Sequence, residues 1–490
     1  MNAAPIFDRR RPGETPVIDS TELVPDHFDV IVIGAGPAGT AAALRAAELG
    51  ASVAVCESDR LGGTCVNTGC VPTRVLAKTA RLMREIRTAD AYGISVTERP
   101  IDWPATVARV RQTVDRVRSV KSEATRFADA GVQLILEGRA RFEGAYTLRL
   151  ETGRRITADA ILVCVGGHSR RLPIPGAELA TVPEHVLDLP QIPDRLAVIG
   201  GGNTGAQLVT VFNSFGSAVT LLDVADRVLA TSDQSVSDAV AAAFVEQGVD
   251  LHLGIEGVAG LERAADGSIT LTWTELGQTV RGSFDAVIMA TGWPADVGDL
   301  GLETAGVTTT GSSIPVDAYF RSSVPHIFAV GDANGRDMLV QAAQSEGEAA
   351  AENAVLDANR RTPHQLLPAG GFTDPDYAGV GLTEVEARRR DELCVVTVVP
   401  YASLDRAVID DRQRGFLKLI TDRRRKLILG AHAVGENAVE VIQSVTTAMA
   451  AGVDVATLAN VRFAYPTYSA VIGLAARSLL AEQADHTSIA

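Results

Sequence analysis

The chain has 490 residues, 46% of them hydrophobic, and a formal net charge of −15, so three or four domains are expected. The acidic balance argues against nucleic acid or an anionic membrane surface as partner, and no apolar run approaches the roughly 18 residues of a membrane span. Residues 1–26 lack the apolar core of a secretory signal and are expected to be a disordered leader. Five scattered cysteines do not make a disulfide scaffold, which favours a reducing, cytoplasmic location.

The first predicted element is a βαβ unit that opens at Phe28. Its parts are a strand over 29–33, a helix over 40–49 and a strand over 52–56. The intervening GAGPAG is a dinucleotide-binding fingerprint, in which Gly34 permits the turn, Gly36 lets the backbone approach a pyrophosphate and Gly39 allows close helix packing. Glu57 ends the second strand and is expected to accept a hydrogen bond from a ribose hydroxyl.

The segment GGTCVNTGCVPTR follows this unit over residues 62–74 and carries two cysteines, Cys65 and Cys70. In a regular helix their Cα atoms would lie roughly 8–9 Å apart, whereas a disulfide needs about 4.4–6.8 Å. The segment is therefore expected to depart from a regular helix, which Gly69 makes easy. A cysteine pair at this place indicates a redox-active disulfide beside a flavin. The remaining cysteines are expected to be small core residues: Cys56, Cys164 and Cys394.

A second βαβ unit opens at Arg195, with the turn GGGNTG over residues 200–205. Its predicted parts are a strand over 196–199, a helix over 206–215 and a strand over 219–222. Two such units predict two dinucleotides, of which FAD and NAD(P) are the plausible pair. Asp223 ends the second strand, where an acid bonds the 2′-hydroxyl and repels a 2′-phosphate, so NADH is favoured over NADPH.

The rest of the chain is less regular. Long charged helices are predicted over 75–130, strands over 131–165, and a proline-marked linker over 173–193. A short strand over 327–332 ends in Asp332. From Gly370 onward the pattern mixes strands and helices, which indicates a separate C-terminal domain.

These motifs together resemble the class I pyridine nucleotide–disulfide oxidoreductases, from about Phe28 to about Ala476. The resemblance rests on GGTCVNTGCVP, both fingerprints, ATGWPAD, AVGDAN, GFTDPDYAGVGLTEVEA, GFLKLITD and ILGAHAVGENAVEVIQ. It implies an α/β fold with two Rossmann-like domains, for FAD and NAD, plus an α+β C-terminal dimerisation domain. The implied domains are the leader 1–26, an FAD-binding domain with the redox disulfide 27–172, an NAD(P)-binding domain 173–294, a central FAD-contacting domain 295–368 and a dimerisation domain 369–490.

The resemblance also implies residue roles. Cys70 would be the thiolate facing the flavin, Cys65 the exchanging thiol, and Asp332 the aspartate that holds the ribityl chain. The expected catalytic residues are Cys65, Cys70, Tyr465 and Arg74. The expected cofactor-binding residues are Gly34, Gly36, Pro37, Ala38, Gly39, Glu57, Gly63, Thr64, Arg74, Gly200, Gly202, Gly205, Asp223, Gly292, Gly331 and Asp332. No metal-ligating set is expected. The arginines that accompany NADP preference in glutathione reductases would fall at Val224 and Ala230, and neither is basic here.

One departure from the family concerns the C-terminal motif His-Pro-Thr-x-x-Glu, an acid–base pair in the disulfide reductases. The matching segment here is YPTYSA, with Tyr465 for the histidine and Ala470 for the glutamate. A phenol with a pKa near 10 is a poor base at pH 7, so rapid exchange with lipoamide or glutathione is not expected. Two interpretations of Tyr465 stay open: a packed interface aromatic, or a hydrogen-bond donor to a substrate or thiolate.

Further departures surround the expected flavin. The family has a lysine near flavin N5 paired with a glutamate, and these are Arg74 and Gln207 here. Because arginine stays charged and glutamine cannot neutralise it, we expect a more positive flavin environment and a raised flavin potential. Trp293 stands where the family usually has arginine and is expected to alter the nicotinamide pocket.

The leading hypothesis is an FAD-dependent enzyme that passes electrons from NADH through FAD to Cys65–Cys70 and on to a disulfide, metal ion or other small acceptor. Alternatives are a soluble transhydrogenase or quinone/diaphorase reductase that bypasses the disulfide, a dihydrolipoamide dehydrogenase-like or mercuric reductase-like activity, and a flavoprotein redox sensor. The expected partners are a second copy of the chain, with active sites shared between subunits, and a small-molecule or small-protein acceptor.

Overall fold

The computed structural model describes residues 26–362, 366–424 and 426–487, so residues 1–25 of the expected leader lie outside the described residues. The described residues form two compact units. The first comprises residues 26–72, Arg111–His168 and Trp293–Thr362, and the second comprises Thr73–Val110, Ser169–Gly292 and the described residues from 366 onward.

The described strands are β1 (Asp26–Ile33), β2 (Val53–Cys56), β3 (Gln133–Ile135), β4 (Ala140–Gly144), β5 (Thr147–Leu150), β6 (Arg155–Val163), β7 (Arg195–Ile199), β8 (Ala218–Asp223), β9 (Asp250–Leu253), β10 (Gly257–Arg263), β11 (Ile269–Glu275), β12 (Gln278–Phe284), β13 (Ala286–Met289), β14 (Ile327–Ala329), β15 (Ala369–Gly371), β16 (Tyr377–Gly381), β17 (Val395–Pro400), β18 (Gly415–Thr421) and β19 (Ile428–Gly435). The described α-helices are α1 (Pro37–Glu48), α2 (Gly63–Asn67), α3 (Cys70–Arg87), α4 (Trp103–Lys121), α5 (Glu123–Asp129), α6 (Asn203–Ser214), α7 (Gln234–Glu246), α8 (Val340–Leu356), α9 (Glu384–Arg390), α10 (Asp405–Ile409), α11 (Ala438–Ala450), α12 (Val455–Asn460) and α13 (Ala470–Thr487).

The first unit is built on a seven-stranded sheet with the order β3-β2-β1-β6-β5-β4, and β14 also pairs with β6. Strands β3, β2, β1, β6 and β14 are parallel, whereas β5 and β4 continue the sheet in antiparallel fashion. Successive residues of β1 enter opposite cores: Val30 packs with one cluster and Ile31 with the other. The sheet is therefore buried on both faces, as its parallel strands require.

Helix α1 covers one face of this sheet together with α8. It begins at Pro37, three residues before the predicted helix, because proline presets the backbone for the first helical position. Gly347 of α8 lies so close to α1 that a Cβ there would sit 2.4 Å from the carbonyl oxygen of Ala38. Alanine-rich surfaces and this glycine let the two helices approach closely at the end of the sheet where the fingerprint lies.

The second unit contains a parallel sheet with the order β13-β7-β8-β9, the Rossmann-like core of the second fingerprint. An antiparallel meander, β10-β11-β12, belongs to the same unit. A five-stranded antiparallel sheet, β15-β16-β19-β18-β17, packs against α11 and α13 and forms the α+β C-terminal domain. The predicted fold class, α/β with two Rossmann-like domains and an α+β C-terminal domain, is confirmed.

A buried ion cluster lies within the second unit. The ammonium of Lys418, on β18, contacts Asp233 Oδ1 at 2.9 Å and Glu384 Oε2 at 2.6 Å. Asp233 also caps α7 and accepts the backbone N–H of Glu384. These bonds tie the start of α7 to the C-terminal sheet. None of the helices in the described ranges is long and apolar enough to cross a membrane.

Candidate active site

The first fingerprint forms the tight turn that its glycines predict. Gly34 has a φ of +100°, and a Cβ there would lie 2.5 Å from the carbonyl oxygen of Cys164. A Cβ on Gly39 would lie 1.8 Å from the carbonyl oxygen of Gly34, so the helix passes directly against the turn. Gly36 is the N-cap of α1, and neither a capping side chain nor an acidic first-turn residue occupies the positive end of this helix.

The carboxylate of Glu57 is hydrogen-bonded to the backbone of this turn. Its Oε2 accepts the backbone N–H of Ala35 at 2.8 Å, and its Oε1 accepts the N–H groups of Ser58 and Asp59 at 2.8 and 2.9 Å. The carboxylate therefore lies at the carboxyl end of β2 and touches the fingerprint itself. Oε2 retains acceptor capacity for a ligand hydroxyl, because a carboxylate offers about four acceptor sites and the three N–H groups use only one on Oε2.

The cysteine segment begins against the same turn. The N–H of Gly62 donates to the carbonyl of Ala35 at 3.0 Å. A Cβ on Gly63 would lie 2.8 Å from the Cα of Gly36, so this close approach requires a glycine at position 63. Thr64 follows in the first turn of α2. The first fingerprint and the cysteine segment thus converge within the first unit.

The two cysteines lie on either side of a break between helices. Cys65 is in the short α2, Cys70 is the first residue of α3, and Thr68 and Gly69 both donate to the carbonyl of Thr64, at 3.0 and 2.7 Å. The departure from a regular helix that the cysteine spacing predicts is present. The structure holds the pair as hydrogen-bonded thiols; this bond, burial and the charge of Cys70 raise the pKa of Cys65.

Asp332 reaches the same end of the sheet from β14. Gly331, with a φ of +63°, packs against α1, where an added Cβ would lie 3.4 Å from the Cβ of Ala38. The indole N–H of Trp293 donates to Asp332 Oδ2 at 2.8 Å. Burial raises the pKa of Asp332, and the bond from Trp293 opposes this rise. Sequence reasoning identified both residues but not their contact.

The second fingerprint repeats the first in detail. Gly200 has a φ of +104°, and a Cβ on Gly205 would lie 1.8 Å from its carbonyl oxygen. The N–H of Gly201 donates to Asp223 Oδ2 at 2.5 Å, and 22 residues separate this pair, as they separate Ala35 from Glu57. Gly202 caps α6 without a side-chain bond or an acidic first turn. Gly292, in the same unit, accepts the N–H of Arg170 at 3.0 Å.

Phe372 is a site residue that the sequence analysis missed. The guanidinium of Arg74 lies over the ring of Phe372, and the backbone N–H of Phe372 donates to the side-chain oxygen of Gln207 at 3.4 Å. The two substitutions that the sequence analysis treated as coupled therefore meet at one aromatic residue. Its place in the GFTDPDYAG motif is the signal that could have identified it.

Tyr465 is 80% exposed, and its hydroxyl donates to Asp405 Oδ2 at 2.7 Å. This bond and the charge of Asp405 raise the pKa of the phenol. Three residues on, Tyr468 donates to Asp410 at 3.0 Å, so the first residue of α10 and the residue just after this helix accept from the two tyrosines of the YPTY segment. Ala470 is the first residue of α13.

Comparison with known proteins finds two family domains along the chain. A family model described as pyridine nucleotide-disulphide oxidoreductase matches residues 28–347, and the dimerisation domain of that family matches residues 367–476.

Full-length relatives share about a third of the sequence. A dihydrolipoyl dehydrogenase of Zymomonas mobilis is 32% identical, covering 91% of this chain and 96% of that protein. A glutathione reductase of Nostoc sp. is 31% identical over 87% of this chain and 94% of that protein. A mercuric reductase of Bacillus cereus is 32% identical over 91% of this chain and 71% of that protein.

A solved structure shares the fold. The Cu(II) complex of the HOCl-induced flavoprotein disulfide reductase RclA from Escherichia coli superposes with a TM-score of 0.82 at 25% identity, covering 92% of this chain and 99% of that one.

Proposed function

The chain belongs to the pyridine nucleotide–disulphide oxidoreductase family, whose enzymes use FAD and NAD(P)H, and from that premise we propose that it reduces a small acceptor through Cys65 and Cys70 with NADH as electron donor. The observation that carries the proposal is the thiol pair at the break between α2 and α3, held against the first fingerprint by Gly62 and Gly63. The acceptor is the part of the function that the family leaves open, because its members are named for different substrates.

The first unit fits FAD by its donor set. The uncapped N-terminus of α1 offers backbone N–H groups to a pyrophosphate, and the missing side chains of Gly36 and Gly63 leave room for it. Glu57 and Asp332 stand at the carboxyl ends of β2 and β14 as acceptors for ribose and ribityl hydroxyls. We propose these roles for the expected cofactor-binding residues of this unit, together with Pro37 at the first position of α1.

Bound FAD would supply the hydride chemistry that links NADH to the cysteines. Two electrons would break the S–S bond between Cys65 and Cys70, and the proton of the hydride would complete the Cys65 thiol and leave Cys70 as a thiolate. The thiolate role is proposed for Cys70 because it lies at a helix N-terminus, and Cys65 would keep its proton because its pKa is raised. Cys65 would then attack the acceptor, and its proton would pass to solvent or to the leaving thiolate.

We propose NADH as the preferred nucleotide. In the second unit, Asp223 ends β8 and is fastened to the fingerprint by Gly201, so its charge is fixed where a 2′-phosphate would stand. Gly200, Gly202, Gly205 and Gly292 would line the same nucleotide. The guanidinium of Arg227 is engaged by Gln234 Oε1 and the carbonyl of Ala230, both at 2.6 Å, which holds it within its own loop.

The proposed acceptor is one that needs little general-base help, such as a soft metal ion or a disulfide with a low-pKa leaving thiol. This proposal is supported by Tyr465, whose pKa is raised and whose proton points to Asp405. A metal-reducing relative and a Cu(II)-bound structural neighbour agree with it. We further propose a homodimer built through residues 369–490, with Tyr465 serving the site of the second subunit.

The test is an anaerobic titration of the purified protein with NADH, followed by turnover with candidate acceptors. The proposal expects a long-wavelength absorbance band before the flavin bleaches, and loss of acceptor reduction in Cys65→Ser. Cys394→Ser, at a buried cysteine just before β17, is the matched control and should keep full turnover. Direct bleaching, with turnover retained in Cys65→Ser, would replace this proposal with a transhydrogenase or diaphorase. Slow reduction by both NADH and NADPH would instead favour a redox sensor.

A further inference from the structure

We propose that Trp293 is a positioning residue for the flavin site, which fixes Asp332 by a neutral hydrogen bond and so presents the second oxygen of that carboxylate to the ribityl chain. The inference rests on the proposed function, because it takes Asp332 as an FAD ligand. The indole N–H lies 2.8 Å from Asp332 Oδ2, although 39 residues separate the two in sequence. An indole donates and never accepts, so this contact has a single direction.

The position of the indole is itself determined by its surroundings. Gly167 lies beneath it, and a Cβ there would come within 2.4 Å of Nε1 and 2.7 Å of Cδ1 of Trp293. Any other residue at position 167 would displace the ring. The backbone of Gly167 thus forms a surface on which the indole packs.

Hydrogen bonds between residues 166–168 and residues 294–296 fix this packing surface. His168 N–H donates to the carbonyl of Pro294, and Asp296 N–H donates to the carbonyl of Gly166, both at 3.0 Å. Gly167 and Ala295 form an antiparallel bridge between these bonds. Trp293 therefore extends from a short two-stranded segment whose backbone hydrogen bonds restrict the position of its ring.

Asp332 is equally constrained on its other side. Gly331 packs on Ala38 and Ala343, and its N–H donates to Glu346 Oε2 at 2.8 Å. The backbone just before Asp332 is thus fixed beside the first turn of α1. With Oδ2 bound to Trp293, Oδ1 is the oxygen available to a hydroxyl. A neutral donor also leaves the negative charge of Asp332 in place, whereas an arginine at position 293 would form an ion pair with it.

The test is the Kd for FAD of a double-mutant cycle at positions 293 and 332. Trp293→Phe keeps an aromatic ring on Gly167 but removes the N–H, and is expected to weaken FAD binding about tenfold, the effect of one hydrogen bond to a charged group. In the Asp332→Ala background, where no side-chain acceptor is left for the indole, the same change should have no further effect. Additive effects of the two changes would overturn the proposal, because a merely structural role of Trp293 predicts them.

Trp273 supplies the matched control, since its indole also donates to a carboxylate, Glu275 Oε2 at 3.2 Å, in the second unit. Trp273→Phe should leave the Kd for FAD unchanged. Trp293→Tyr restores a polar donor and should recover part of the FAD affinity. If Trp293→Phe does not fold, Trp293→Tyr takes its place in the cycle. The proposal is supported if a change at Asp332 weakens FAD binding of the Tyr variant as much as that of the wild type, and overturned if it does not. Full FAD affinity in Trp293→Phe with loss in Asp332→Ala refutes the role of Trp293 alone, whereas full affinity in Asp332→Ala refutes the proposed role of Asp332.

Discussion

The guanidinium of Arg74 lies over the ring of Phe372, one helical turn after Cys70 along α3. Stacking on an aromatic face stabilises a guanidinium without neutralising it. The backbone of Phe372 meets Gln207, the residue that stands where the family has a glutamate. Arg74 contacts the ring of Phe372 and Gln207 accepts its backbone N–H, at the two positions where the family has a lysine–glutamate ion pair.

We predict that Arg74→Met lowers the reduction potential of the flavin. A permanent positive charge near the flavin favours its anionic reduced form, and its loss should shift the potential by about −30 mV, which corresponds to a factor of about ten for a two-electron couple. The measurement is an anaerobic redox titration against a dye of known potential. Arg87→Met, on the exposed end of the same helix, is the control. An unchanged potential in Arg74→Met would refute this electrostatic role.

We predict that kcat/KM is higher with NADH than with NADPH. Asp223→Asn should lower the ratio of the two values about tenfold, since removal of one charge facing the 2′-phosphate changes the free energy of NADPH binding by about 1.4 kcal/mol. Asparagine keeps an acceptor for the N–H of Gly201, so the turn should survive. Steady-state kinetics with both nucleotides measure the ratio. Asp266→Asn, in a hairpin turn elsewhere in the second unit, should leave it unchanged. Equal use of both nucleotides by the wild-type enzyme would contradict the assignment.

We predict that Tyr465→His increases turnover with a disulfide acceptor at least about tenfold, because an imidazole with a pKa near 6.5 is a suitable base at pH 7. Asp405 is already placed to accept a hydrogen bond from residue 465. Tyr465→Phe is the matched control, since it removes the hydroxyl without adding a base. Kinetics with lipoamide and glutathione disulfide provide the measurement, and equal rates in the His and Phe variants would exclude a base function at this position.

We predict that Lys418→Met destabilises the fold by about 3–5 kcal/mol, the cost of leaving Asp233 and Glu384 without their buried cation. The double variant Lys418→Met, Asp233→Asn should be milder. Lys78→Met, at an exposed position of α3, is the control. The midpoint of thermal unfolding measures these effects, and a Lys418→Met midpoint equal to that of the wild type would contradict the prediction.

The same cluster predicts a pH dependence. Burial raises the pKa of Asp233, but bonds from the N–H of Glu384 and from Lys418 outweigh it and lower the pKa to about 2. A depressed folded-state pKa stabilises the fold above the unfolded value of 3.8, and this stabilisation is lost as pH falls through about 2. The difference between wild type and Lys418→Met should therefore be complete at neutral pH and shrink in acid. A difference independent of pH would show that Asp233 does not titrate with the cluster.

The amino-acid sequence by itself determined the local geometry of both nucleotide turns. The glycines predicted the tight turns, where the structure has positive φ at Gly34 and Gly200. The acids at the ends of the second strands placed Glu57 and Asp223 beside their fingerprints, because a short βαβ unit leaves the chain little freedom. The spacing of Cys65 and Cys70 likewise predicts a broken helix, since a regular one holds them too far apart.

Only the tertiary structure decided which distant residues meet. Trp293 and Asp332 come together because β14 pairs with β6 and the ribbon at 293–296 crosses residues 166–168. Gln207 meets Phe372 across 165 residues, and Tyr465 meets Asp405 across 60. Sequence spacing fixes contacts within a turn, whereas contacts between segments depend on strand order and helix packing, to which the whole chain contributes.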